Sequence, residues 1–320
     1  MRLLIQLQNP IAAFQPTPPQ LQSLRERLPH CDIVQALPGE GFLEALGTAE
    51  AAVVWTFRGA WYPLAPRLRR VFTPSAGREG IEPDPTGRVT LSFGSFHGKI
   101  MAESLLAMLL CLERRLPAAL HAQQQRRWER ELYADTRPLA GQVALLVGVG
   151  AIGRHCAHLL KALGMRVQGV RRQDRPVPGV ERVFTVDRLG EALGGADHVV
   201  CILPGDTGTT GILDVRALAA MKPGACLYNL GRGNAIDSAA LQSALRSGHL
   251  GGAFLDVTAE EPLPSDSALW STPGLYLAPH ASAIRRDYLD LYFDELVASI
   301  EASLEARAAE ARTSTAPGQR

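Results

Sequence analysis

Hydrophobic residues in the first 97 positions fall into two alternating patterns, short apolar runs and longer stretches with helical spacing. Residues 2–7, 32–34, 51–55 and 71–73 are the runs and read as strands. Between them, residues 18–28 and 41–46 read as helices. Thr17 is placed to cap the first, with Pro18 at its first helical position, where a missing N–H does no harm. Strands alternating with helices predict a parallel sheet with helices on its faces.

A long helix is expected over 97–128, with Met101, Leu105, Leu106, Met108, Leu109 and Leu112 facing a core and a break at Pro117. Trp128, in its polar final stretch, reads as ordinary helix packing, with a core anchor or a subunit contact as alternatives. Residues 143–147, Val-Ala-Leu-Leu-Val, form an apolar run without polar alternation, as in a strand buried on both faces. Ile152, Cys156, Leu159, Leu160 and Leu163 then recur at helical spacing, Gly164 ends that helix, and 165–170 reads as the next strand. Further strands are expected at 183–185, 198–202, 226–229, 252–255 and 275–277, with helices at 212–221 and 238–247. Such a series suits a six- or seven-stranded doubly wound sheet. Residues 288–309 carry Leu289, Tyr292, Phe293, Leu296, Val297, Ile300 and Leu304 on one helical face, expected to pack back on the first domain. The polar tail, 313–320, is expected to fray.

A length of 320 residues suggests two domains, each large enough for its own core. The expected division is 1–97 with 285–320 as one and 98–284 as the other. The 46% hydrophobic and 20% charged content is that of a soluble globular protein. Thirty-three Lys and Arg against 32 Asp and Glu give no electrostatic reason to expect a nucleic-acid or anionic-membrane partner. The apolar stretch 105–112 is bracketed too tightly by Glu103 and by Glu113-Arg114-Arg115 to span a bilayer, and residues 1–6 are too short an apolar run for a signal peptide. Cysteines at 31, 111, 156, 201 and 226 are scattered and form no C-x-x-C pair, which predicts reduced thiols in a cytoplasmic protein and no zinc site.

Chemistry enters with Gly148-Val149-Gly150-Ala151-Ile152-Gly153, a G-x-G-x-x-G pattern between a strand and a helix with a second strand following. Gly148 suits the tight turn, Gly150 lets a pyrophosphate approach the backbone, and Gly153 lets helix pack near strand. The free N–H groups of the helix start, around Ala151 and Ile152, then face the phosphates. Where an acid would hold the adenosine ribose of NAD, the second strand ends in Arg171 and Arg172. Guanidinium groups pair with a 2′-phosphate, which favours NADP. In the alternative reading both arginines are solvated and Asp174 serves NAD.

Arg232, Asp256, Glu261 and His280 each follow a strand of this same sheet, and ligands of open parallel sheets lie at strand carboxyl ends. A cation, a carboxylate and an imidazole beside a hydride carrier suit reduction of a 2-keto acid. Arg232 would hold the substrate carboxylate and polarise the keto oxygen. His280 would protonate that oxygen, and Glu261 would bond the other ring nitrogen and favour the protonated ring. His155 and His158, one turn apart, could chelate a metal in principle, but no metal site is expected there for want of carboxylate or cysteine partners beside them.

These motifs resemble the D-2-hydroxyacid dehydrogenase family over residues 68–283. The residues that carry the resemblance are the glycine turn, Met221-Lys222-Pro223-Gly224-Ala225, Asn229-Leu230-Gly231-Arg232-Gly233, Asp256-Val257, Glu261-Pro262-Leu263-Pro264 and Ala278-Pro279-His280. The resemblance implies a Rossmann-type doubly wound sheet inserted into a smaller flavodoxin-like parallel-sheet domain that carries substrate. It implies Arg232, Glu261 and His280 as the catalytic set and Asp256 as a contact of the nicotinamide carboxamide. Leu203, Pro204, Thr209, Leu230, Gly231 and His280 are implied as further cofactor contacts. The backbone of Ser75, Ala76 and Gly77 is implied to help bind substrate carboxylate, and Arg58, Trp61 and Tyr62 are read either as pocket lining or as ordinary surface and core. A homodimer built through the nucleotide domain is implied as well.

Arginine at the strand end resembles the NADP-preferring glyoxylate/hydroxypyruvate reductase branch. Ala278 departs from the usual threonine, and 55–61 fits no family pattern. Two other readings stand beside the reductase: a nicotinamide-nucleotide-sensing binding protein of the corepressor type, and a dehydrogenase of another anion such as phosphite or formate.

Overall fold

A computed structural model of the chain describes residues 1–314 and divides into two compact units, Met1–Phe96 with the segment from Ile284 onward, and His97–Ala283. The first unit opens with β1 (Arg2–Gln6), α1 (Pro18–Arg27), β2 (Asp32–Gln35), α2 (Glu40–Leu46), β3 (Ala51–Val54), β4 (Arg70–Thr73) and β5 (Thr90–Phe93). Its five strands are all parallel in the order β2-β1-β3-β4-β5, the flavodoxin-like arrangement. α1 starts where expected. The Gln20 N–H donates to Thr17 Oγ1 at 3.4 Å while Gln20 Oε1 accepts from the Thr17 N–H at 2.9 Å, a reciprocal cap behind Pro18. β5 was not expected: it lies at the sheet edge with no fully buried residue, so no apolar run marks it.

The core of this unit gathers Leu46, Val54, Phe57, Leu68 and Val71 against the sheet. Tyr62 belongs to it, with its hydroxyl donating to Glu82 O at 2.7 Å, and burial pushes that phenol up to about 12. Trp61 stands edge-on to Phe42 and Phe57, and the exposed Arg58 lies 6.0 Å from its ring centroid. Of these three residues, Tyr62 and Trp61 therefore serve the core.

In the second unit come α3 (His97–Glu113), α4 (Leu116–Gln124), β6 (Val143–Val147), α5 (Ala151–Ala162), β7 (Arg166–Val170) and β8 (Arg182–Phe184). They are followed by α6 (Leu189–Gly194), β9 (His198–Cys201), α7 (Val215–Ala220), β10 (Cys226–Asn229), α8 (Ser238–Arg246), β11 (Gly252–Leu255) and β12 (Leu275–Leu277). Seven parallel strands lie in the order β12-β11-β10-β9-β6-β7-β8, a Rossmann sheet extended by one strand. Along β6, Leu145 and Val147 enter one core and Ala144 and Leu146 the other, which is why the run shows no polar alternation.

The helix expected over 97–128 is two helices. Pro117 sits in the first turn of α4, not at the break; its ring would clash with the carbonyl of Glu113, so α3 ends there and Arg115 turns left-handed at φ 51°. Leu106 is only half-buried, and Trp128 lies beyond α4, 88% exposed, which corrects its reading as helix packing or core. α7 is shorter than expected because Asp214 caps it, accepting from the Ala217 N–H at 2.8 Å.

The chain then returns to the first unit as α9 (Tyr288–Ser314). Gln20 and Arg27 of α1 bond Asp290 and Asp294 at 2.8 Å each, and Tyr288 packs on Phe14 and Phe96. Thr313 and Ser314 are helical, and the rest of the tail expected to fray lies outside the described residues. Among the described residues no helix is long and apolar enough to cross a membrane, and all five cysteines are free.

Candidate active site

The glycine turn joins β6 to α5 in the second unit. Gly148 has φ +104°, and a Cβ on it would fall 2.5 Å from Ile202 O. A Cβ on Gly153 would fall 2.5 Å from Gly148 O, so the start of α5 rests directly on the turn. Gly150 is the contrast: it precedes the first turn of α5, and no heavy atom lies within 4 Å of its Cβ position. The orphan N–H groups of Ala151 and Ile152 and this open space fit a pyrophosphate laid on the helix start.

Arg171 and Arg172 lie beside that turn, because the Gly148 N–H donates to Val170 O at 3.1 Å, one residue before them. Arg171 reaches Arg175 O at 3.5 Å; Arg172, 81% exposed, pairs with Asp206 at 3.1 Å. Asp174 is exposed in the same loop. Leu203 comes within 3.1 Å of the Gly148 Cβ position and Pro204 follows it. The Thr209 hydroxyl is turned into its own loop, toward Pro204 O at 2.6 Å and Asp206 O at 2.9 Å.

At the end of β10, buried Asn229 shapes the next turn: Oδ1 accepts from the Gly231 N–H at 3.0 Å and Nδ2 donates to Arg232 O at 3.1 Å. Leu230 is buried, and Gly231 passes so close to Leu203 that a Cβ would lie 2.5 Å from its backbone. Arg232 emerges half-buried, with one guanidinium nitrogen donating to Gly231 O at 2.9 Å. At the end of β11, Asp256 is 1% exposed. Its carboxylate accepts from the N–H groups of Ala281 at 2.8 Å and Ser282 at 3.0 Å, and its carbonyl from the His280 N–H at 2.7 Å. His280 is thereby held with a left-handed backbone, φ 53°.

Glu261 comes from the loop after β11. Its Oε1 accepts from the Thr258 N–H at 3.0 Å, and its Oε2 lies 2.7 Å from His280 Nδ1. The pair borders a cavity of about 570 Å³ whose other walls include Thr258, Leu263, Trp270 and Leu277. Trp270 is anchored by its indole N–H on Pro264 O at 2.8 Å. Thr258 and Trp270, and the clamping role of Asn229, were missed in the sequence because nothing in their spacing marks them.

In the first unit the segment after β4 is folded on itself. The Ser75 N–H points to Thr73 Oγ1 at 3.3 Å and the Gly77 N–H to Ser75 Oγ at 3.1 Å, with Ala76 between them. The exposed His155 and His158 belong to no group of potential metal ligands among the described residues. The ring of His155 instead covers Gly98, where a Cβ would meet it at 2.1 Å.

Residues 106–282 match the family described as D-isomer specific 2-hydroxyacid dehydrogenase, NAD binding domain. D-3-phosphoglycerate dehydrogenase of Mycobacterium bovis is 31% identical over 243 residues, 75% of this chain and 46% of that protein. The chain thus spans about half the length of the D-3-phosphoglycerate dehydrogenases it matches. Glyoxylate/hydroxypyruvate reductase A of Photorhabdus laumondii is 30% identical over 275 residues, 82% of this chain and 85% of that one. The crystal structure of a D-isomer specific 2-hydroxyacid dehydrogenase from Xanthobacter autotrophicus Py2, in complex with NADPH and MES, superposes with a TM-score of 0.78 at 28% identity, covering 94% of this chain and 95% of that one. A family match across more than half of the chain, on a nucleotide-binding sheet with the strand order and glycine turn described above, establishes that the chain belongs to the D-isomer specific 2-hydroxyacid dehydrogenases.

Proposed function

We propose that the chain reduces a small 2-keto acid to its 2-hydroxy acid, with glyoxylate- or hydroxypyruvate-like molecules as substrate and NADPH as preferred cofactor. The observation that carries this reading is the 2.7 Å contact of His280 Nδ1 with Glu261 Oε2, on loops following two strands of the sheet whose next strand, β10, leads to Arg232. The nicotinamide, when bound, supplies the hydride. Arg232 binds the substrate carboxylate and draws electron density from the keto oxygen through its forked donors. Glu261 occupies Nδ1 of His280 and orients the ring, which leaves Nε2 to deliver a proton to that oxygen. Asp256 serves by holding the backbone on which His280 stands.

Likeness to a glyoxylate/hydroxypyruvate reductase A over most of both chains supports the substrate class. Arg171 and Arg172 beside the turn support NADPH, as does the NADPH held by the Xanthobacter protein. A homodimer is supported by the exposed apolar side chains of Leu116, Leu120, Trp128 and Tyr133 in and after α4.

A panel of 2-keto acids with NADPH and NADH tests the reading. Arg232→Ala and His280→Ala each lower turnover by at least about 100-fold with NADPH still bound. Wild-type turnover in either variant would refute the assigned roles, and no oxidation with any acid would favour a nucleotide sensor. Arg171→Asp weakens NADPH relative to NADH; an unchanged preference would mean this arginine does not read the 2′-phosphate.

A further inference from the structure

A second polar cluster lies at the amino-terminal edge of the seven-stranded sheet, at the opposite end of the strands from the glycine turn. His198 and Cys226 are the first residues of β9 and β10 and are direct partners in register, while Glu113 is the last residue of α3. His198 is 1% exposed and Cys226 8%. A carboxylate oxygen, an imidazole nitrogen and the sulfur of the three all lie within 4.8 Å of one another, and Glu113 Oε1 is 3.6 Å from His198 Nε2. Their neighbours restrain them. Gln142 Oε1 is 2.9 Å from His198 Nε2, and its amide nitrogen donates to Pro138 O at 3.0 Å and Glu113 Oε2 at 3.3 Å. The Tyr228 hydroxyl is 3.2 Å from His198 Nδ1.

We propose that Glu113, His198 and Cys226 form a binding site for a divalent cation of the zinc class, remote from the reaction site. A thiolate, an imidazole and a carboxylate are three of the donor types zinc takes, whereas magnesium and calcium seek oxygen throughout. Tetrahedral zinc, with bonds of about 2.0–2.3 Å, holds its donors roughly 3.3–3.8 Å apart. The longest separation here therefore has to close by no more than about 1.5 Å. Glu113, at a helix end and partly solvent-accessible, supplies that movement and the entry route. On binding, the Cys226 thiol gives its proton to solvent, and thiolate and carboxylate together neutralise the cation, so the buried site carries no net charge. Tyr228 bonds one ring nitrogen of His198, an arrangement that orients metal-bound histidines. Gln142 Oε1 or a water completes the fourth position. The bound ion ties the end of α3 to two central strands. No spacing motif marks the site because its donors come from three distant parts of the chain, and the scattered cysteines led to the opposite expectation.

Cobalt(II) titration of the reduced full-length protein tests this, with no chelator present. One equivalent per chain should produce the near-ultraviolet thiolate-to-cobalt band and the visible bands of tetrahedral cobalt, with zinc displacing the cobalt and raising Tm. Cys226→Ser and His198→Gln abolish the thiolate band while Cys31→Ser retains it, and NADPH binding checks that each variant is folded. Glu113→Gln, at a partly exposed helix end, weakens cobalt binding at least tenfold even if the buried variants fail to fold. A wild-type protein that shows no such band in excess cobalt overturns the proposal. So does a band that survives Cys226→Ser, or cobalt affinity unchanged by Glu113→Gln.

Discussion

Two glycines of one turn make opposite demands, and substituting each by alanine separates folding from nucleotide binding. At Gly148 the backbone has φ +104°, and the new Cβ would sit 2.5 Å from Ile202 O and 3.0 Å from its carbonyl carbon. Both obstacles are backbone of a neighbouring strand end, so no rotamer change relieves them. The φ penalty is about 1–3 kcal/mol and the overpacking about as much again. At about 2–4 °C per kcal/mol, Gly148→Ala lowers Tm by at least about 4 °C. Gly150 has φ −85° and nothing within 4 Å of its Cβ position. Alanine caps a helix slightly worse than glycine but restricts the unfolded chain, and these effects of a few tenths to about 1 kcal/mol nearly cancel. The added methyl instead occupies the open space at the start of α5 proposed to receive the pyrophosphate. A penalty of about 1–3 kcal/mol there raises the Kd for NADPH roughly 5- to 150-fold. Thermal melting without nucleotide and a fluorescence titration with NADPH read the two effects. A Gly150→Ala protein that binds NADPH like the wild type would refute the placement of the phosphates, and a Gly148→Ala protein that melts with the wild type would refute the steric argument.

Asp256→Asn sets an amide N–H₂ against the backbone N–H of Ala281 or Ser282, an unmade buried bond worth about 1–3 kcal/mol. Its kcat should fall at least about tenfold as the Ala281-Ser282 backbone that follows His280 loses a carboxylate partner, and steady-state kinetics beside a melting curve would contradict this if kcat held. Asp84 accepts from the N–H groups of Thr86, Arg88 and Val89 and from the Thr86 hydroxyl. Burial works to raise its carboxyl, but these bonds outweigh it and hold the group below the ordinary range. A lowered native value contributes stability above the unfolded value of about 3.9 and loses it as pH falls through the native one. Asp84→Asn should therefore melt earlier than wild type at neutral pH, with the gap closing below about pH 4; a gap constant with pH would contradict it. The proposed homodimer predicts that Trp128→Ser shifts the protein from dimer to monomer in analytical ultracentrifugation, and a wild-type profile would remove this surface from the proposed contact.

Strands β6, β10, β11 and β12 coincide with the runs 143–147, 226–229, 252–255 and 275–277. The runs of β6 and β10 are legible because these strands, in the sheet interior, bury every side chain or nearly every one, and unbroken apolarity bounded by glycine, proline or asparagine leaves one reading. β5 is the counter-case, since Thr-Leu-Ser-Phe at an edge has too little burial to demand apolar residues. The helix at 97–124 was visible but its break was misplaced. A proline is tolerated in a first turn and forbids helix four residues upstream, so Pro117 moves the break to Glu113 and Arg115.

The candidate site was legible wherever topology alone assigns position. Arg232, Asp256, Glu261 and His280 all follow strands, and strand ends of one parallel sheet must lie together. Direction is a different matter, because the side chain at a strand end can face outward or fold inward, and sequence carries no sign for that choice. Asp256 is an example: expected beside the nicotinamide, it borders the cavity of Glu261 and His280 and also accepts with both carboxylate oxygens from the amides after His280, a set of bonds no spacing predicts. Thr209 likewise turns its hydroxyl onto its own loop. The same blindness hid Glu113, His198 and Cys226, whose proximity is set by the register of β9 with β10 and by where α3 stops. Juxtapositions across elements depend on the whole packing, so a residue's place along a strand can be inferred long before its neighbours can.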